Sequence, residues 1–218
     1  MTRRILLCAS MLLLAASPSK ATISFLIDGD LLRDSSGTAI GQTSLFLLVS
    51  STTDSIFSSI TPDSSTAIGS LLNGDDKILF RGNLANYGVN GVLSESTGSL
   101  TLNTGALTGW TSGDPLALLW FPTLTTGSGT IASGTTYGLY SNASVVDGSD
   151  AWITPSDPTT NHKLLFYTQA GSELSPGAGA SNSASVGNAS LTVGAVPEPS
   201  RSLLGLIGFG VLALRRRR

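Results

Sequence analysis

Three acidic turns stand out for the chemistry they could support: Asp28-Gly29-Asp30, Asn73-Gly74-Asp75-Asp76 and Asp147-Gly148-Ser149-Asp150. Carboxylates paired about a glycine offer the hard oxygen donors that calcium takes. Asp28, Asp30, Asp75, Asp76, Asp147 and Asp150 are therefore candidate calcium ligands. None of the three turns has the twelve-residue register ending in Glu that an EF-hand requires. Asp and Asn also close turns by bonding to their own backbone, and glycine there supplies positive φ. Turn capping alone accounts for these aspartates, and no other cofactor is expected.

Catalytic constellations are sparse. His162 is the single histidine, which removes His-His metal sites and the HExxH metalloprotease pattern. It sits in the polar stretch PSDPTTNHK and reads as an exposed loop residue. No G-x-S-x-G elbow is present to serve a Ser-His-Asp triad. Glycoside hydrolysis needs two carboxylates across a cleft, yet Glu95, Glu173 and the turn aspartates single out no pair. An enzyme is not expected. A carbohydrate-binding module would use aromatic platforms, for which the rings are Trp110, Trp120, Trp152, Tyr137 and Tyr140. Trp120, inside LALLWFP, reads as core, whereas Trp110 and Trp152 sit in polar stretches and read as partly exposed. Asn142-Ala143-Ser144 and Asn188-Ala189-Ser190 are N-x-S sequons, a pattern too common to carry weight.

The elements that must position these residues are strands. No stretch of the body keeps a 3.6-residue apolar period. Short apolar and β-branched runs alternate instead with clusters of Gly, Asp, Asn and Ser. Strands are expected at Thr22–Ile27, Ser44–Val49, Lys77–Arg81, Gly91–Glu95, Ser99–Leu102, Pro115–Phe121, Thr136–Tyr140, Ala151–Thr154, Lys163–Thr168 and Ala189–Val193. Ser99-Leu100-Thr101-Leu102 alternates plainly, as does Ser190-Leu191-Thr192-Val193. LALLWF is continuous, as suits a strand at a sheet centre or one buried on both faces. A short helix is expected around Ser64–Leu72, and residues 171–188 read as a low-complexity loop. The fold class is all-β, an antiparallel β-sandwich of jelly-roll-like or similar type over residues 22–194.

Both ends differ from this body. MTRRILLCASMLLLAASPSKA has the basic, apolar and small-residue zones of a secretory signal peptide over residues 1–21, with cleavage expected between Ala21 and Thr22. Cys8, the only cysteine, lies inside the apolar zone and would leave with it. At the other end, Ser202–Leu214 is an uncharged run followed by Arg215, Arg216, Arg217 and Arg218. As a helix that run reaches about 20 Å against a hydrocarbon core of roughly 30 Å. Flanking arginines can snorkel outward and let it cross a thinned bilayer. The tetra-arginine then stays on the cytoplasmic side and the body lies opposite. Pro197, Glu198 and Pro199 precede the run, and the two prolines hold an extended segment there.

A Pro-Glu-Pro tripeptide, a short apolar helix and a terminal arginine cluster, in that order over residues 195–218, resemble the PEP-CTERM sorting signal. The resemblance implies an exported protein of a Gram-negative bacterium. It also implies transient insertion in the inner membrane and recognition near the tripeptide by an exosortase, an integral-membrane cysteine protease. Proteins with this signal occur in bacteria that make exopolysaccharide, so a structural or matrix-associated role at the cell surface is the implied function. The runner-up is a carbohydrate- or calcium-dependent binding module.

Charge follows the same division. The chain carries 12 basic and 14 acidic residues, a net charge of −2. Within residues 22–196 only Arg33, Lys77, Arg81 and Lys163 oppose thirteen acids, leaving −9. Such a surface repels nucleic acid and anionic lipid, and no nucleic-acid partner is expected. The body has no cysteine, so it must fold on a hydrophobic core. Its about 175 residues suffice for one.

Overall fold

The computed structural model describes residues 22–89, 92–93, 100–103, 111–142, 149–156, 161–165 and 187–194. The strands, in chain order, are β1 (Thr22–Asp28), β2 (Asp30–Leu31), β3 (Ser44–Ser51), β4 (Ser64–Ser65), β5 (Asp76–Asn83), β6 (Gly88–Val89) and β7 (Val92–Leu93). They continue with β8 (Leu100–Asn103), β9 (Leu116–Thr125), β10 (Thr130–Ile131), β11 (Thr136–Tyr140), β12 (Asn161–Leu165) and β13 (Leu191–Thr192). A single turn of helix, α1 (Leu84–Tyr87), follows β5. The protein is all-β, with mostly antiparallel sheets. Among the described residues no helix is long and apolar enough to cross a membrane.

A five-stranded sheet in the order β13-β11-β9-β3-β5 is the organising element, antiparallel throughout. Its middle strands are the two most apolar runs of the body, SLFLLVSS and LALLWF. β3 is buried at every position, as is β9 from Leu116 to Phe121. Burial of successive residues means burial of both faces, because side chains alternate along a strand. One face sends Phe46, Leu48, Leu116, Leu118, Trp120 and Tyr140 into a cluster with Ile23, Phe25 and Ile27 of β1 and Leu164 of β12. The other sends Leu45, Leu47, Val49, Ile78, Ala117, Leu119, Phe121 and Tyr137 into a second cluster. There Phe57, Ile60 and Leu72 cover them from the irregular segment between β3 and β5.

β1 belongs to a smaller sheet, β12-β1-β8, and shows plain alternation. Ile23, Phe25 and Ile27 are buried while Ser24 and Leu26 are half-buried. β1 and β8 run antiparallel, but β1 and β12 run parallel from Ser24↔Asn161 to Asp28↔Leu165. That departs from a wholly antiparallel expectation. Parallel neighbours need a long connection, and here most of the body lies between them. No local pattern in either strand could announce the direction.

One row crosses four strands of the large sheet. Gly82 on β5 pairs with Phe46 on β3, Phe46 with Trp120 on β9, and Trp120 with Gly138 on β11. A Cβ on Gly138 would lie 2.0 Å from Trp120 Cε2 and Cζ2, and one on Gly82 2.8 Å from Phe46 Cζ. The two large rings therefore spread sideways over glycines that leave them room. The Trp120 indole N–H donates to the Arg33 carbonyl at 3.2 Å, fixing the ring's far edge to the chain after β2.

Two expected elements are absent. Ser64–Leu72 is no helix: β4 opens it, Gly69 takes φ +86°, and its amide bonds to the Ile78 carbonyl. Backbone bonds to β5 and to the Gly129 carbonyl replace helical ones, since an edge strand and an apolar face offer partners nearby. Ala151–Thr154 forms only a bridge between Ile153 and Pro115 rather than a strand. Its amides are spent on scattered carbonyls, Trp152 on Asn142 and Thr154 on Asp114. Ala189–Val193 shortens to β13. Gly91–Glu95 and Lys163–Thr168 are seen only as β7 and as the part of β12 up to Leu165, their remaining residues lying outside the described ones, while β12 also starts earlier, at Asn161.

The glycine row makes a direct prediction. Gly138→Ala lowers unfolding free energy by about 3 kcal/mol or more, because Trp120 cannot give way without vacating the core. Gly129→Ala, with nothing within 4 Å of its Cβ, changes stability by less than about 0.5 kcal/mol. Urea denaturation of the three proteins measures both.

Candidate functional site

The sequence candidates do not converge on one place. Asp28 ends β1, buried, and Asp30 opens β2. Asp75 and Asp76 lie at the start of β5, and Asp150 lies beside β12. Asp147, Ala21, Pro197, Glu198, Pro199, Arg215, Arg216, Arg217 and Arg218 lie outside the described residues. So do Trp110, Glu95, Glu173, Cys8 and most of 171–188. Thr22 is the first residue of β1. Among the described residues, no group of three or more His, Cys, Asp or Glu side chains could hold a metal ion.

Several aspartates do the work of turn capping. Asp34 Oδ1 accepts the Ser36 hydroxyl at 2.6 Å and the Ser36 and Thr38 amides at 2.8 and 2.9 Å. The Ser36 hydroxyl, then the Thr38 amide, hold this carboxyl below its ordinary range. Asp114 accepts the Thr111 amide and hydroxyl at 2.6 and 2.7 Å, closing the turn into β9.

The aromatic candidates are core. Trp120 is 0% exposed, Trp152 1%, Tyr137 3% and Tyr140 6%. Trp152 thus corrects the expectation of a partly exposed ring. It meets Tyr140 edge-on at 5.2 Å between centroids, and its indole N–H donates to the Leu165 carbonyl at 3.4 Å. Polar neighbours in sequence misled because the segment carrying Trp152 folds over the end of the small sheet. None of these four rings is placed to stack on a sugar.

His162 is corrected too. It lies within β12, not in a loop, with its side chain 18% exposed and its ring 6.0 Å from that of Phe25. Its Nδ1 faces Asp150 Oδ2 at 3.8 Å. Asp150 and its neighbour Ser149 are tied to β12 at three points. The Asp150 amide donates to the Lys163 carbonyl at 2.7 Å, its Oδ2 accepts the Lys163 amide at 2.9 Å, and Ser149 beside it accepts the Leu165 amide at 3.0 Å. These two side chains form one wall of an open cleft of about 300 Å³, completed by Ser112, Gly113, Ile153, Pro155 and Ser156. A carboxylate, an imidazole and serine hydroxyls beside aliphatic surface suit hydrogen bonding to a neutral, polyhydroxylated ligand. Ser112 gave no sequence signal, since it comes from a turn fifty residues from His162, whereas Ser156 lies in the same polar stretch as His162.

A second polar cluster sits at the rim of the large sheet. Asp75 Oδ2 accepts the Ser51 hydroxyl at 3.1 Å and the amides of Thr53 and Asp54 at 3.0 and 3.2 Å. Asp54 Oδ1 accepts the Ser51 hydroxyl at 3.2 Å and the Ile56 amide at 2.8 Å. Asp76, 3% exposed, is gripped by Asn73, which donates to Oδ2 at 2.6 Å and accepts the Asp76 amide at 3.2 Å. Burial pushes the Asp76 carboxyl up to about 6 against the help of Asn73, and the charges of Asp75 and Asp54 add to the rise. Asp54 carries no such sequence signal, because it flanks no glycine turn.

No protein-family model, curated protein or solved structure matches the chain.

The cleft wall depends on Ser149, whose hydroxyl donates to the Asp150 carbonyl at 2.9 Å while accepting from Leu165. Ser149→Ala leaves the buried Leu165 amide without that partner and destabilises the protein by about 1–3 kcal/mol. Chemical denaturation measures the loss, and a stability equal to that of the wild type would show the wall to be held otherwise.

Proposed function

We propose that this chain is an exported cell-envelope protein, sorted through its C-terminus and serving a structural or matrix-associated role without catalysis. The observation that carries the reading is the ordered tail: Pro197-Glu198-Pro199, the apolar run Ser202–Leu214, then Arg215–Arg218. The signal-peptide zones before Thr22 point the same way, as does a cysteine-free body of net charge −9. In this reading the secretion machinery delivers the chain and the apolar run holds it in the inner membrane as a short helix. An exosortase then acts near the tripeptide, leaving the acidic body at the cell surface or outside, where exopolysaccharide is its natural neighbour.

The body in this reading is an antiparallel β-sandwich. The core shared by β1 and β12 with β3 and β9 supports two facing layers. Its proposed role needs no cofactor. A second reading, a carbohydrate-binding module, is favoured by the cleft between Asp150, His162, Ser112 and Ser156. Retention on a polysaccharide column that Asp150→Ala abolishes would select it over the first.

Sorting is tested by replacing residues 197–199 with three alanines in the native host. The variant is expected to accumulate in the inner membrane with its tail intact, while the wild type reaches the surface or medium. Equal surface delivery of both proteins would overturn the proposal.

A further inference from the structure

The irregular segment 52–75 is the cover of one face of the large sheet. Phe57, Ile60 and Leu72 fill that core, and backbone bonds to β5, to β10 and to Gly129 hold the segment closed. Asp63 donates its amide to Ile131, Thr66 to Gly129, and Thr61 to Leu72, whose own amide bonds the Asp76 carbonyl at 2.9 Å. The cover and β5 meet at Asp76, so this residue fastens the last turn of the segment to the sheet through Asn73 and Leu72.

The groups around Asp76 make that fastening sensitive to charge. Asp54 and Asp75 face it from the cover, and both are tied to Ser51 of β3, the residue paired with Asp76. From β11, Tyr137 lies close enough for the Asp76 charge to act on its phenol, which burial chiefly pushes up. Lys77 follows on the same strand and by alternation projects from the opposite face. An ionised Asp76 is therefore a buried charge beside two others, and its burial outweighs the bonds that Asn73 and the Ser58 amide give the charged form. Opening the cover would hydrate it and move it away from Asp54.

We propose that Asp76 is a pH-dependent clasp: protonated, it keeps segment 52–75 closed over the sheet, and ionised, it favours local opening that uncovers the core face beneath. The sign follows from linkage. Closed, Asp76 binds its proton up to about pH 6, against an ordinary value of 3.8. Closure is thus strongest below about pH 4, weakens as pH rises, and levels off above about 6. Partial opening of this kind needs less free energy than global unfolding, because only one cover is released.

Hydrogen exchange of the full-length chain, corrected for the intrinsic pH dependence of exchange, tests the clasp. Protection of the Thr61, Asp63 and Leu72 amides is expected to fall by on the order of 100-fold between pH 4 and 7, the factor set by a shift of about two pH units. Leu118 and Leu119 of β9 keep their protection. In Asp76→Asn the fall at the cover disappears. Asp54→Asn serves if that variant does not fold, and moves the midpoint of the fall to lower pH. Protection at the cover that is independent of pH overturns the proposal. So does a fall that persists in Asp76→Asn, one shared equally by β9, or a midpoint unmoved by Asp54→Asn.

Discussion

Two aromatic rings lying over two glycines set the geometry on which the remainder of this protein is built. Phe46 and Trp120 are paired neighbours on the central strands, and each needs more width than a strand spacing of about 4.8 Å provides. Gly82 and Gly138, paired outside them, supply that width. Phe80 stacks on Phe46 at 5.9 Å between centroids. The Trp120 indole reaches the Arg33 carbonyl and so fixes the chain that leads from β2 toward β3. A side chain at either glycine would push a ring out of the layer against which β1 and β12 pack. The row therefore links strand pairing, core filling and the approach of the smaller sheet.

A sheet whose central strands are buried on both faces needs two covers, and this protein builds them differently. One is a regular sheet, whose parallel β1–β12 contact places His162 and the Asp150 wall at its edge. The other is an irregular segment with a buried carboxyl at its fastening point. Regular pairing makes the first cover a stable platform, while the second depends on side-chain packing and on the charge of Asp76. Function fits the same asymmetry, with a candidate ligand cleft on the stable side and a candidate conformational device on the other.

Much of the strand pattern was legible because burial acts on local composition. The runs SLFLLVSS and LALLWF became the two central strands, and Thr136–Tyr140 has the bounds expected from its residues. Where the signal failed, a distant partner decided the outcome. SSTAIGSLL has apolar residues at helical spacing, yet an edge strand and an apolar face captured it. Trp152 has polar sequence neighbours but is buried by the fold-over of its segment. His162 reads as a loop residue because strand β12 begins with the polar Asn161-His162-Lys163, and half-buried edge strands tolerate such residues. The cleft and the acidic rim were hidden more deeply. Ser112 and His162, or Asp54 and Asp76, meet only through topology, and no spacing along the chain records it. The proposed sorting tail is the converse case: that reading rests on local order alone.

The central claim, that this acidic all-β body is exported and then parted from its tail, is tested most directly by one number. That number is the intact mass of the protein recovered from the envelope and medium of its native host. The account predicts a polypeptide beginning at Thr22 and ending near Pro197, with any attached glycan appearing as added mass. A mass that retains Arg215 to Arg218 would contradict it, making the tail a permanent part of the protein and not a signal that is removed.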